Sequence, residues 1–200
     1  MNAIEQFNQG VFLIINARPN PEVWMLNLAR FLAHYASYAI PVILLYAWLY
    51  GERSARARVV MAYLTVLLAM GINLLIAHMW FHPRPFMIDL GTNFMKHGPD
   101  ASFPSDHMTT ASAVAWVYVL ARQKVLGLFF VLLALTVGWA RIYLGVHFPL
   151  DIVGSMVVAL GAACCIKALW PKIGDGVMFR LEQLYRTLLA VPIRRGWARD

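Results

Sequence analysis

Long stretches of this chain run apolar without interruption, and only a few environments accept such stretches. A helix needs about 20 apolar residues, at a rise of about 1.5 Å each, to cross about 30 Å of hydrocarbon. Inside hydrocarbon the backbone must satisfy itself, which leaves helices or closed barrels. Five segments fit a spanning helix, at about 24–50 (strongest from Ala36 to Tyr50), 59–80, 107–121, 125–144 and 151–170, the third being short. Composition closes off a soluble fold. The chain is 60% apolar and 14% charged, against about 45–50% and about 25% in ordinary globular domains. A disulfide scaffold is excluded because the two cysteines, Cys164 and Cys165, are adjacent in an apolar run. Neighbours on a helix diverge, and no second Cys/His pair lies nearby, so a zinc site is not expected either.

The expected fold is therefore an all-α polytopic membrane protein forming one domain over 1–200, with 171–200 as a basic tail. Residues 3–16 read as a short helix in the membrane interface, stopped by Pro19 and Pro21. A second amphipathic stretch follows near 177–190, set off by Pro171 and the glycines at 174 and 176. No basic cluster precedes the first apolar stretch, so no cleavable signal is expected. Arg53, Arg56 and Arg58, then Arg122 and Lys124, then Lys172, Arg180, Arg186, Arg194, Arg195 and Arg199 all fall on one face if there are five spans. The positive-inside rule makes that face cytoplasmic. The N-terminus, loop 81–106 and loop 145–150 then face outward.

The outward face collects residues that topology does not require. Loop 81–106 contains Arg84 and leads into Ser105, Asp106 and His107; Arg141 ends the fourth span, and His147 and Asp151 follow. Ionisable groups at span ends are expensive and often functional. Arginine offers phosphate a planar fork of donors, and histidine can attack or transfer protons near neutral pH. His147 and Asp151 flank Pro149, which suits a first helical position. The carboxylate could then hold one imidazole nitrogen and leave the other nucleophilic. Ser105 stands as a helix N-cap whose free N–H groups favour an anion, so it reads as a cap, a phosphate ligand, or both.

In this order, these residues resemble the type 2 phosphatidic acid phosphatase (PAP2) superfamily. Its blocks are a lysine followed, after six intervening residues, by Arg-Pro, then Pro-Ser-Gly-His, then Ser-Arg with His six and Asp ten residues beyond the arginine. Here they read AHMWFHPRP at 77–85, PSDH at 104–107 and ARIYLGVHFPLD at 140–151. Ala77 replaces the lysine, with His78 beside it as a partial substitute; Asp106 replaces the glycine and Ala140 the serine. Asp106 either weakens phosphate binding or orients His107. Chain length, the PSDH variant, Gly91–Phe94 and the basic tail are similar to the bacitracin-resistance type of undecaprenyl-diphosphatase within that superfamily.

The resemblance implies roles. His147 is the nucleophile, Asp151 its orienting partner and His107 the general acid and base. Arg84, Arg141 and Ser105 bind the phosphoryl group, with Asp106 and His78 beside it. It implies no metal or other cofactor, a polyprenyl diphosphate substrate drawn from the membrane, no nucleic-acid partner and a bacterial inner-membrane location with the site outside. His82, His97 and Lys96 read as loop residues, and Asn73 as an interhelical hydrogen bonder. Same-chemistry alternatives are a phosphotransferase acting on lipid A and a broader phosphatase for phosphatidic acid or phosphatidylglycerol phosphate. Alternatives of other classes are a transporter, which should carry its charges near mid-membrane, and a haem-binding bundle, which should carry histidine pairs there.

Overall fold

The computed structural model describes residues 3–199 and contains only helices and loops among them. Helix α1 (Ala3–Ile15) is followed by α2 (Val23–His34), a 3-10 turn (Ala36–Tyr38), α3 (Ala39–Tyr50) and α4 (Arg53–Met79). After the long loop come α5 (Asp106–Leu120), α6 (Lys124–Tyr143), α7 (Pro149–Leu188) and the short α8 (Ala190–Arg194). Four segments among the described residues are long and apolar enough to cross a membrane: Val23–Tyr50, Arg53–Met79, Lys124–Tyr143 and Pro149–Leu188. The chain is a multi-pass membrane protein, and side chains such as Tyr63, Leu67, Leu74, Val125, Leu132, Val153 and Val157 stand exposed around its flanks.

The third expected span is α5, and it differs from the other four. With 15 residues it is about 22 Å long, short of a full crossing. It packs against α4, α6 and α7, and its small residues Ala111, Ser112, Ala113 and Ala115 are buried. Small side chains let neighbouring backbones come close, so α5 forms the centre of the bundle. Its start is recessed. Asn73 of α4 bonds to Asp106 and Thr109 at 2.9 and 3.0 Å, and α4 continues for six more residues to Met79, about 9 Å further.

Loop 81–106 fills the recess. Phe103 presses on Gly154 of α7, where an added Cβ would stand 2.2 Å from the ring. Asn16, just past α1, ties the loop down: its amide donates to the carbonyls of Thr92 and Tyr143 at 3.0 and 3.1 Å and accepts from Thr92 N–H at 2.7 Å. Gly145, at φ +82°, turns the chain out of α6 directly beneath the Thr92 carbonyl.

Two expectations change. The first span is interrupted at Ala36–Tyr38, so it is two helices in line. Conversely, Pro171 does not end the last span: α7 runs unbroken from Pro149 to Leu188 and absorbs most of the separate stretch expected at 177–190. Tertiary contacts account for this. Ile166, Gly174, Met178 and Tyr185 are buried on both sides of the proline, and Arg53 pairs with Asp175 and Glu182 at 3.3 and 3.8 Å. One missing N–H is outweighed when the turns on either side are held by neighbours.

Helix α1 lies where an interfacial helix was expected, with Ile4, Phe7, Leu13 and Ile14 exposed. Its other face is docked on α6 and α7. Buried Asn8 accepts the Leu150 N–H at 3.0 Å, capping from outside a helix whose own N-cap residue, Phe148, has no polar side chain.

Candidate active site

The start of α7 places the central pair. Phe148 holds the N-cap position and Pro149 opens the helix, which puts Asp151 in the first turn. The Asp151 carboxylate turns back to accept the Phe148 N–H at 2.7 Å. The same oxygen lies 3.3 Å from Nδ1 of His147. Residues His147 and Asp151 are 2% and 1% exposed.

Arg84 closes on the other side of the imidazole. Its Nη1 lies 3.1 Å from His147 Nε2 and donates to the Val146 carbonyl at 2.9 Å. A guanidinium can only donate, so Nε2 presents a lone pair and the ring proton sits on Nδ1, toward Asp151. That is the tautomer a nucleophile needs. Burial pushes the His147 pKa below its ordinary value of 6.5, even though Asp151 opposes the shift. The ring is therefore neutral near pH 7.

Arg84 itself is held rigidly. Its Nε donates to Asp100 at 2.8 Å and its Nη2 to the Ala101 carbonyl at 3.2 Å. Partial burial works to raise the Asp100 pKa, but Arg84 and His97 hold it below its ordinary value. Arg141, at the end of α6, donates to the Ala33 carbonyl at 3.1 Å beside the break in the first span, while its Nε is buried without a partner. The two buried guanidiniums lie within electrostatic reach of each other. Asp100 offsets the charge of Arg84, and an anion reaching Arg141 would complete the pair.

Ser105 occupies the N-cap of α5, but its hydroxyl makes no capping bond and is buried without a partner. Its backbone is fixed by Ser155, which accepts the Ser105 N–H at 2.8 Å and donates to the Ser105 carbonyl at 3.0 Å. His107, the second residue of α5, is exposed and lines a cavity of about 200 Å³ with Ser37, Ile40, Pro41 and Thr110. It lies within electrostatic reach of Arg84, Arg141, His147 and His97.

Arg84, Ser105, His107, Arg141, His147 and Asp151 thus meet at one end of the bundle. Asp106 is bonded to Asn73 and lines a groove of about 500 Å³ along α4, together with Ala77 and Asp100. His78 is exposed at the end of α4 and does not line that groove. Asn73 bridges helices as expected, and it also positions Asp106.

Sequence reasoning missed three contributors. Ser102 donates to Asp151 Oδ2 and lies 3.4 Å from His147 Nδ1; nothing in a loop serine announces that. His82 and His97 are loop residues in the primary structure, yet His82 Nδ1 is 3.9 Å from Asp151 Oδ1 and the rings of His97 and His147 are 6.3 Å apart. Their nearness to Arg84 in sequence was the available signal.

Known proteins share this chain's sequence pattern and fold. The PAP2 superfamily pattern matches residues 58–175. YbjG of Escherichia coli (strain K12), provisionally named an undecaprenyl-diphosphatase, is 33% identical over 98% of this chain and 100% of its own length. The undecaprenyl-diphosphatase BcrC of Bacillus subtilis (strain 168) is 36% identical over 76% of this chain and 79% of its own. In three dimensions the chain is similar to LpxE of Aquifex aeolicus, with a TM-score of 0.68 at 22% identity, over 81% of this chain and 95% of that one.

Proposed function

This chain belongs to the PAP2 superfamily of membrane lipid phosphatases, and from that premise we propose that it hydrolyses undecaprenyl diphosphate to undecaprenyl phosphate and inorganic phosphate. His147 Nε2 attacks the terminal phosphorus and a phosphohistidine forms. The bond from that phosphorus to the bridging oxygen breaks, and His107 gives the leaving lipid phosphate its proton. His107 then takes a proton from water, which attacks the phosphohistidine and releases phosphate. Asp151 keeps the His147 proton on Nδ1 and stabilises the positive charge that the ring gains. Arg84, Arg141 and the Ser105 hydroxyl bind the phosphoryl oxygens, where charge develops in the transition state.

One observation carries this reading: the buried Arg84 guanidinium stands at the open nitrogen of a neutral, carboxylate-held imidazole, with the buried Arg141 within electrostatic reach. Arg84 Nη1, now 3.1 Å from Nε2, occupies the place from which a phosphoryl oxygen would draw it. The cluster lies at the opposite end of the bundle from Arg53, Arg56, Arg58, Arg122 and Lys124, which supports an outward-facing site in a bacterial inner membrane with a cytoplasmic C-terminus. The bilayer keeps the isoprenoid tail while its diphosphate reaches the recess. The substrate assignment draws on YbjG and BcrC.

The test offers the purified protein undecaprenyl diphosphate, phosphatidic acid and phosphatidylglycerol phosphate, with and without lipid A as acceptor. Release of free phosphate, fastest from undecaprenyl diphosphate and lost in His147→Ala, is the expected result. Phosphate appearing on lipid A instead of in solution, or turnover near normal in His147→Ala, overturns it.

A further inference from the structure

Asp151 uses only one of its two oxygens in the site as described. Oδ2 takes the Phe148 N–H and the Ser102 hydroxyl and faces His147. Oδ1 is buried without a hydrogen-bond partner. Leaving a buried carboxylate oxygen bare is costly. The atom facing it at 3.9 Å is Nδ1 of His82, which is also buried without a hydrogen-bond partner. The gap exceeds a hydrogen bond by less than about 1 Å.

The rest of the His82 ring is anchored. Nε2 lies 3.4 Å from the Glu5 carboxylate in α1. Trp80 and Phe148 enclose the ring, with centroids at 5.4 and 5.5 Å. Gln9 and Asn8 in turn hold Glu5, at 3.0 and 3.5 Å. These contacts hold the ring with its Nδ1 facing Asp151. The chain Glu5, His82, Asp151, His147 connects the first helix to the nucleophile.

We propose that His82 is a positioning residue for the phosphatase reaction: its Nδ1–H donates to Asp151 Oδ1 in the working enzyme, which fixes the plane of the carboxylate so that Oδ2 holds the His147 ring. Glu5 accepts from Nε2–H on the opposite side, so in this arrangement the His82 ring donates from both nitrogens as an imidazolium between two carboxylates, and docking of α1 is thereby built into the nucleophile's alignment. This rests on the roles given above to His147 and Asp151. His82 touches neither substrate nor reacting atoms, so its removal slows the chemical steps and leaves substrate binding alone.

Two isosteres separate positioning from simple packing. The amide nitrogen of Asn occupies the place of Nδ1, and that of Gln the place of Nε2. His82→Asn keeps the donor to Asp151, and His82→Gln keeps only the contact to Glu5. With undecaprenyl diphosphate as the probe, His82→Asn should stay within about threefold of the unsubstituted kcat, whereas His82→Gln and His82→Leu should each lose about 10-fold or more at unchanged KM. Equal losses in Asn and Gln, losses confined to KM, or no loss in any variant overturns the proposal. Should a variant fail to fold, the intact protein decides: in 15N-histidine-labelled protein the His82 Nδ1 must carry a proton, and a bare Nδ1 ends the idea. His147→Ala serves as the control. Turnover surviving in it defeats the underlying mechanism, whereas its loss alongside normal His82 variants defeats the positioning role alone.

Discussion

At the scale of single residues, the site depends on which atoms of one imidazole are free. The Asp151 carboxylate and Arg84 together put the His147 proton on Nδ1 and the lone pair on Nε2. Because the folded protein holds the His147 pKa below 6.5, the neutral ring persists to lower pH than in an unfolded chain. Worked through, the unfolded state binds the proton first, so this group's contribution to stability is intact above about pH 6.5 and is lost progressively as pH falls toward the folded pKa. Titrating the ring 15N shifts, with His147 assigned by its absence in His147→Asn, should give a midpoint below 6.5; a midpoint at or above that value contradicts a buried, neutral imidazole. Ser102→Ala removes a hydrogen bond to a carboxylate. Such bonds are worth about 1.5–3 kcal/mol, so kcat should fall about 10- to 100-fold, with KM little changed. An unaltered kcat would show that Asp151 needs no help from Ser102.

At the scale of elements, α5 and the loop before it decide where the site sits. A helix of 15 residues beginning below the end of α4 leaves a recess, and the loop enters it rather than extending outward. Gly145 makes this possible by passing beneath Thr92 in a left-handed conformation. A Cβ there would stand 2.2 Å from the Thr92 carbonyl oxygen, a backbone atom with little room to move. Gly145→Ala should therefore cost at least about 1–2 kcal/mol from the left-handed geometry alone, with more from the clash. Thermal unfolding in detergent should show a clear drop in midpoint; an unchanged midpoint would mean that the loop is not held against the end of α6.

At the scale of the whole molecule, the end remote from the site is closed by the tail. Arg56 is 3% exposed and donates to the carbonyls of Trp48 and Arg199 at 2.9 and 2.6 Å, with its guanidinium 4.6 Å from the centre of the Tyr185 ring. Tyr185 and the Arg199 amide add bonds to the same strip of backbone. In sequence, Arg56 is one of several basic residues that orient the chain; in the fold it is a buried clasp. Arg56→Ala takes the Arg56 donor from the Trp48 carbonyl and leaves the Arg199 carbonyl to Tyr185 alone, so a loss of about 1–3 kcal/mol is expected. The variant should unfold at lower temperature while retaining kcat well below that temperature, because the clasp lies at the opposite end from His147. Loss of kcat at full stability would instead couple the two ends.

Hydrophobic length and motif spacing determined the membrane class, the approximate places of the helices, the α7 start at Pro149 and the set Arg84, Ser105, His107, Arg141, His147 and Asp151. These are local properties: a run of apolar residues demands hydrocarbon wherever it lies, and an i,i+4 pair at a helix start keeps its spacing in any fold. Only the tertiary structure decided that α7 passes through Pro171, that α5 is a recessed core helix, and that Ser102, His82, Asn8 and Arg56 face the partners they do. Each of those depends on contacts between residues tens of positions apart. Such contacts form only once the helices have packed, and no pattern along the chain records them.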